Sequence, residues 1–449
     1  MPPGDPALLL PPALGGLLAL ACLVAAHRAG RRRRLVDQLP TSKTTGVFIG
    51  LVELKGTAEA ETPLVGHLAE EPCVYHAWKI EERWSRLVTE TYTDSNGRTK
   101  TRTRHQSGWT GVDQGGGMIP FYLRDDRGVV QIIPSGARLE PQTVFSETCT
   151  RADPLYYGKG PPGAVANSDG VRRFVEEAIP LHARIYVVGK ARERADVVAP
   201  EIAEDAHAPM FLISTRTEEQ VSSSHAFGFG AWMVAGALLT VAGFLVRDMM
   251  AGLPLATRWP LHLLAAGVYA LAAALGWVWL VFNSLVDLRQ RMRQGWAQIE
   301  VQLKRRHDLI PNLLHVVQGF SNYEQTLQSE LAALRTQLQA TPPGVAGPDY
   351  HALKHTLLAV RERYPQLQAD STFTQLQQNL IETEERVALA RGYFNDIATH
   401  WNTRLETVPD CWVARLAAMQ PQALMTANEF ERAPVAVSLA PNPAPAPSA

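Results

Sequence analysis

Three stretches of about 20 residues carry no Asp, Glu, Lys or Arg: residues 7–26, 226–246 and 261–282. A helix of that length crosses the ~30 Å hydrocarbon core of a bilayer, and the buried helices of water-soluble proteins seldom stay uncharged for so long. The feature predicts three transmembrane helices. It also divides the remaining chain into two polar regions, 42–221 and 283–432, and a tail, 433–449. Composition agrees with a mixed molecule. Charged residues make up 19% of the 449, below the ~25% of soluble chains, yet a mean hydropathy of −0.09 is too polar for a protein lying wholly in lipid. A net charge of −1 gives no bulk attraction to nucleic acid, so no such partner is expected. Four scattered cysteines (Cys22, Cys73, Cys149, Cys411) do not make a disulfide framework.

Flanking charge sets the orientation. Arg28, Arg31, Arg32, Arg33 and Arg34 follow the first stretch and place its C-terminal end in the cytoplasm. Residues 1–7 lack the basic segment of a cleaved signal peptide, so the stretch reads as a signal anchor. Pro11 and Pro12 interrupt helical hydrogen bonding near its start. The second and third stretches form a hairpin, and Arg289, Arg291 and Arg293 follow the third. An even number of crossings separates the two polar regions, so both are expected on the cytoplasmic side. Trp232, Trp259, Trp277 and Trp279 fall near the expected interfaces. The expected fold class is a multidomain α+β membrane protein.

Residues 42–221 read as mostly β. Residues 47–54, 73–80, 120–123, 129–133 and 184–188 are strand-like, and Asp125-Asp126-Arg127-Gly128 is a turn between two of them. Asn96-Gly97 is a hairpin signal. A two-residue turn there sets Ser95, Thr93, Thr91 and Thr89 opposite Arg98, Lys100, Arg102 and Arg104, so that the four basic residues line one face with no carboxylate opposite. Such a face is a candidate for contact with anionic lipid headgroups, each basic group worth about 1 kcal/mol. The plainer alternative is a solvated outer face. Gly115-Gly116-Gly117 lacks the Lys-Ser/Thr of a phosphate loop and reads as a flexible turn. Cys73 and Cys149 read as small buried hydrophobes rather than a redox or metal pair.

Several short motifs recur in a familiar order: Phe48-Ile49-Gly50, Lys55-Gly56-Thr57-Ala58-Glu59, Pro72-Cys73-Val74-Tyr75, Ile80-Glu81-Glu82, Pro120-Phe121, Arg124-Asp125-Asp126 and Gly128. Arg172-Arg173-Phe174, Ile179-Pro180 and Ile185-Tyr186-Val187-Val188-Gly189 follow. This region resembles the membrane-flanked domain of the GIDE/MULAN-type E3 ubiquitin ligases. Those ligases act through a RING, which needs eight Cys or His ligands in paired spacing. With four cysteines and no C-x-x-C, ligase activity is not implied for this chain.

The third apolar stretch runs on into a long heptad-patterned helix. With Leu285 as position a, the a positions are Leu285, Met292, Ile299, Arg306, Leu313, Phe320, Leu327 and Leu334, and the e positions add Trp296, Leu303, Ile310, Val317, Leu331 and Leu338. A second stripe, Phe373, Leu380, Val387, Phe394, Trp401 and Val408, repeats every seven residues. The two helices are expected to pack antiparallel, as in a coiled-coil-type helical bundle. A break at 341–348, a short helix at 350–363 and a closing helix at 410–419 complete it. Pro311 predicts a kink. Arg306, alone on the apolar stripe, needs a carboxylate, and Glu384 beside the second stripe is the expected partner. Lys304, Arg305, Arg306, His307 and Asp308 form the candidate contact surface, with Lys304 and Asp308 as an i,i+4 pair. The Ala/Pro-rich tail is expected to be disordered.

Ser284-Leu285-Val286, Leu288-Arg289, Trp296, Gln298-Ile299 and the run Val301-Gln302-Leu303-Lys304-Arg305-Arg306 with Asp308-Leu309-Ile310-Pro311-Asn312-Leu313 carry a second resemblance. Thr383-Glu384, Ala388, Ala390-Arg391, Asn395-Asp396, Asn402 and Phe430-Glu431 extend it. These motifs resemble the LemA family, which implies a membrane-anchored antiparallel helical bundle, in a bacterial inner membrane and without an established enzymatic activity. The family's simple members have one anchor and no extra domain, unlike this chain.

No nucleophile motif, phosphate loop or metal cluster is legible, so neither catalysis nor a cofactor is expected. Membrane lipids, membrane or cytoplasmic proteins and further copies of the chain are the expected partners. A scaffold or adaptor fits best; a ligase relative and an accessory subunit of a membrane protease or transporter are the alternatives.

Overall fold

The computed structural model describes residues 6–93, 99–194, 199–320 and 371–425. Six α-helices are described: α1 (Leu10–Val36), α2 (Pro154–Gly158), α3 (Glu218–Met250), α4 (Leu255–Phe320), α5 (Ser371–Glu406) and α6 (Asp410–Leu416). The chain divides into two compact units, Thr41–Phe227 on one hand and Met1–Pro40 with Gly228–Ala449 on the other.

The first unit is the β unit, as the alternating sequence predicts. Five strands close into a ring: β2 (Gly50–Glu59), β6 (Phe121–Arg124), β7 (Val129–Ile132), β12 (Pro200–Ala203) and β11 (Arg184–Glu193), which pairs back with β2. All neighbours are antiparallel except β7 and β12. Strands β1 (Thr41–Ser42), β13 (Leu212–Ser214) and β8 (Arg138–Glu140) extend it. Val52, Leu54, Phe121, Leu123, Ile132, Val187 and Ile202 fill the core. The β6–β7 turn is the expected one, with the Asp125 carboxylate accepting from the backbone N–H groups of Arg127 and Gly128.

A second sheet is built on β4 (Pro72–Thr93), which pairs with β5 (Thr99–Met118), β3 (Leu64–Val65) and β10 (Ser168–Pro180); β9 (Gln142–Thr150) follows β10. Gly115-Gly116-Gly117 is not a flexible turn but part of β5, opposite Trp78, Ala77 and His76. A Cβ on Gly115 would lie 2.8 Å from the Trp78 ring, so the glycine lets the indole cover the strand. Beyond Trp84, β4 and β5 leave the sheet as a two-stranded ribbon.

Three helices are long and apolar enough to cross a membrane, within Pro6–Val36, Glu218–Met250 and Arg258–Arg306, and all but the start of the second lie in the second unit. Pro11 and Pro12 do not break α1. They occupy its first turn, where a missing N–H costs no helical bond. Helices α1 and α3 cross at Gly15 and Gly243, where a Cβ on Gly15 would stand 2.7 Å from the Leu239 carbonyl oxygen. Small residues permit such backbone approach between membrane helices.

Helix α4 runs 66 residues without interruption, about 100 Å at 1.5 Å per residue, and its helical assignment continues through Pro311. Helix α5 lies antiparallel along its second half. Arg404 donates to Ser284 (3.3 Å), the Trp296 and Phe394 rings meet at 5.7 Å, and Arg306 reaches Glu384 at 3.3 Å. The paired residue numbers fall as steadily on one helix as they rise on the other. Leu285, Met292, Ile299 and Leu303 are buried against Leu380, Val387, Phe394 and Trp401 in the predicted stripes. Among the described side chains, two stripe positions differ. Trp296 is 42% exposed, its indole N–H donating to Glu300, and Val408 is 64% exposed because α5 ends at Glu406. The expected segments 341–348, 350–363 and 433–449 and the stripe residues Leu327, Leu331, Leu334 and Leu338 lie outside the described residues, as do the side chains of Ile310, Leu313, Val317, Phe320 and Phe373.

Candidate functional site

In the β unit the two motifs Ile80-Glu81-Glu82 and Arg172-Arg173-Phe174 are cross-strand partners: Ile80 faces Phe174, Glu81 faces Arg173 and Glu82 faces Arg172. The Glu82–Arg172 pair is fully buried at 3.1 Å. A buried ion pair is tolerable when its remaining hydrogen-bonding capacity is filled. Here the Arg172 guanidinium donates to the carbonyls of Tyr156 and Pro161, both at 2.8 Å, and of Gly163, at 2.5 Å, and lies 4.0 Å from the Tyr156 ring centroid. The Tyr156 and Ser168 hydroxyls donate to Glu82. Burial pushes the Glu82 carboxyl up, but those hydroxyls and Arg172 outweigh it and hold the group below the usual carboxylate range.

Glu176 is a second buried carboxylate. It accepts from the consecutive backbone N–H groups of His67, Leu68 and Ala69 at 2.7–2.8 Å and contacts His76 Nδ1 at 3.0 Å. Burial again raises its pKa, and these donors bring the net shift down. Both clusters are closed on themselves and knit the sheet together. Cys73 is buried, and burial, with Glu176 nearby, pushes its thiol up to about 11. All four cysteines are buried and free, as small hydrophobes are.

The basic ribbon differs from expectation by one residue of register. Thr93 pairs with Thr99, so Lys100 lies opposite Tyr92, Arg102 opposite Glu90 and Arg104 opposite Val88. The two-residue turn at Asn96-Gly97 would have required Thr93 opposite Lys100; the observed register leaves five residues between the strands, Arg98 among them, outside the described residues. One carboxylate therefore does face the basic row, on the face of Arg86, Arg102 and Arg104. The other face is a ladder of Thr89, Thr91, Thr99, Thr101 and Thr103 that the sequence reading did not single out. Arg102 and Arg104 are exposed; the Lys100 side chain lies outside the described residues.

On α4, Lys304, Arg305 and Asp308 are exposed, whereas Arg306 is turned inward to Glu384. Among the described residues no salt bridge joins Lys304 to Asp308, the expected i,i+4 pair. The His307 side chain lies outside the described residues. Arg391 is half-buried on α5.

The helical region also contains a device the sequence reading missed. Asn395 donates to the Met425 carbonyl (2.9 Å) and accepts from the Met425 N–H (2.8 Å). Asn402 does the same with Gln422, at 2.7 and 2.8 Å. Seven helical residues rise about 10.5 Å, and three extended residues span about 10 Å, so the two amides match the spacing of the backbone they hold. The Trp401 indole N–H donates to Gln420. Residues 420–425 thereby run antiparallel along α5, and the motif residues Asn395 and Asn402 acquire a physical role.

Residues 295–439 match the LemA family model. Residues 89–246 match the model named GIDE and described as E3 ubiquitin ligase. The LemA-like region thus contains the C-terminal part of α4, α5 and both asparagine clamps, and the GIDE-like region contains β5 to β13, the end of β4 and most of α3. Among similar proteins, Magnetosome protein MamQ 2 of Paramagnetospirillum magneticum is 23% identical over 185 residues, covering 34% of this chain and 67% of its own. Protein LemA of Metamycoplasma hominis is 23% identical over 161 residues, covering 35% and 74%. Magnetosome protein MamQ of Magnetospirillum gryphiswaldense is 21% identical over 196 residues, covering 36% and 71%. The chain thus has a C-terminal region similar to the LemA family and a preceding region similar to the GIDE model, together with three helices long and apolar enough to cross a membrane.

Proposed function

We propose that the protein is a non-enzymatic membrane scaffold or adaptor that holds its β unit and a LemA-type bundle on the cytoplasmic face of a bacterial inner membrane. The observation that carries this reading is where the apolar helices end. A Cβ on Gly30 of α1 would lie 3.0 Å from Leu280 of α4 and 3.1 Å from Phe229 of α3, so these three points share one level. The β unit leaves α1 beyond Gly30 and returns before Phe229, and the helical region continues α4 beyond Leu280. Both then emerge from one side, and the five arginines of α1 choose the cytoplasm. The exposed surfaces available to partners are the basic ribbon, toward lipid or protein, and Lys304, Arg305 and Asp308.

A ligase reading draws on the description of the GIDE model, but the four cysteines are far apart in sequence and cannot supply the paired zinc ligands of a RING. Crosslinking of the full chain in native membranes, followed by identification of the joined proteins, tests the proposal. Crosslinks from the ribbon and from the 304–308 face to other proteins or to second copies are expected. A stoichiometric ligase or protease partner would instead make the chain an accessory subunit.

A further inference from the structure

The level at which the three apolar helices end carries a cleft of about 320 Å³. One wall is apolar and belongs to the membrane helices: Phe229, Trp277 and Leu280. The other is cationic: Arg33 and Arg34 at the end of α1, and Arg404 near the end of α5.

The cationic wall is held rigidly. Arg34 donates to both carboxylate oxygens of Asp410, at 3.0 and 3.2 Å, and Arg404 donates to the same carboxylate. Ser284, just past the third apolar stretch, accepts from Arg404 at 3.3 Å and from Gln38 at 2.8 Å. Two guanidinium groups thus share one carboxylate. Arg33 is half-exposed and pairs with Asp37 at 3.4 Å in the same turn. Three arginines face two carboxylates, which leaves a positive excess beside an apolar wall. An exposed apolar ridge continues outward at spacing four: Val408, Trp412 and Leu416, 64, 57 and 87% exposed. It belongs to the segment tied by Asp410 to the end of α1, so it lies at the same level as the end of the first span. A tryptophan there fits the headgroup layer.

We propose that this cleft binds one anionic phospholipid, its phosphate on the free N–H groups of Arg33, Arg34 and Arg404 and its acyl chains on Phe229, Trp277 and Leu280, with the Val408–Trp412–Leu416 ridge buried in the same interface. A basic pocket between membrane helices at a membrane boundary is suited to such a headgroup. The inference rests on the chain crossing the membrane but not on the adaptor role.

The test uses the full chain in detergent micelles, exposed to equal amounts of dioleoyl phosphatidylglycerol and dioleoyl phosphatidylcholine, with retained lipid counted by native mass spectrometry. Wild type should retain the glycerol lipid about fivefold or more over the choline lipid, the effect of one basic contact. Arg33→Gln, which leaves the Arg34–Asp410–Arg404 network in place, should lower that preference about fivefold. Arg293→Gln, farther along α4, should not change it. Equal retention of the two lipids by wild type, an equal loss in Arg293→Gln, or displacement of the lipid by inorganic phosphate at the same concentration would overturn the site. Alkaline carbonate extraction separates the two failures. A chain that stays in the membrane but shows no preference lacks the lipid site alone, whereas one that is extracted does not span the membrane.

Discussion

Several of the enclosed charges in this protein are paired with partners that lie far away in sequence. Arg172→Leu would leave Glu82 buried without its cation, a change that costs about 3–5 kcal/mol, and limited proteolysis of the full chain should show the β unit cut far faster while the helical region persists. Arg306→Ala removes a less enclosed pair, its side chains 12% and 11% exposed, so a smaller loss of about 1–3 kcal/mol is expected in urea titration of α4–α5 helicity. No loss there would contradict the structural role of the pair. The acid limb follows from Glu82 and Glu176, both held below the usual carboxylate range in the fold. A depressed folded pKa contributes stability above the unfolded value of about 4.3 and loses it as pH falls through the folded one. Melting temperature should therefore drop below about pH 4.3, and Glu176→Gln should flatten that drop. The Arg306–Glu384 pair was legible because a lone charge on an apolar heptad stripe requires an answer on the facing stripe. The Glu82–Arg172 pair was not, because cross-strand partnership depends on a register that neither motif encodes alone.

At the scale of elements, periodicity carried furthest where the helices are long. The buried run from Leu285 to Leu303 and its counterpart from Leu380 to Trp401 follow the seven-residue spacing, and the stripe fails at Val408, beyond the end of α5. The hairpin was harder. Asn96-Gly97 marked its existence, but the turn residues alone did not fix its register, and one residue of slip moved every facing pair along the ribbon. The triple glycine misled for a related reason: its role comes from the Trp78 and His76 side chains on the neighbouring strand. Asn402→Ala removes both hydrogen bonds to Gln422, worth about 1 kcal/mol each, and hydrogen exchange should show the Gln422 amide losing protection while α5 keeps its own. Gly243→Leu places a side chain against the backbone of Pro11 and Pro12, where a Cβ would already stand 2.7 Å from the Pro11 carbonyl oxygen. Overpacking of that kind costs about 1–3 kcal/mol, and a thermal-denaturation assay in detergent should register the loss.

For the whole molecule, the absence of charge in three stretches and the arginines beside the first determine more than any motif does. They predict the membrane helices, which meet at one level at Gly30, Phe229 and Leu280. What no stretch of sequence displayed is the cleft at that level, since its walls come from five helices and the segments that follow α1 and α5, separated by hundreds of residues. The most direct test of this arrangement is to place a side-sensitive reporter at three points of the full chain in intact cells: in the exposed loop at Gly163, in the turn at Gly252, and after Ala449. The account predicts cytoplasmic signals at Gly163 and after Ala449 and an external signal at Gly252. Opposite sides for Gly163 and Ala449 would contradict it.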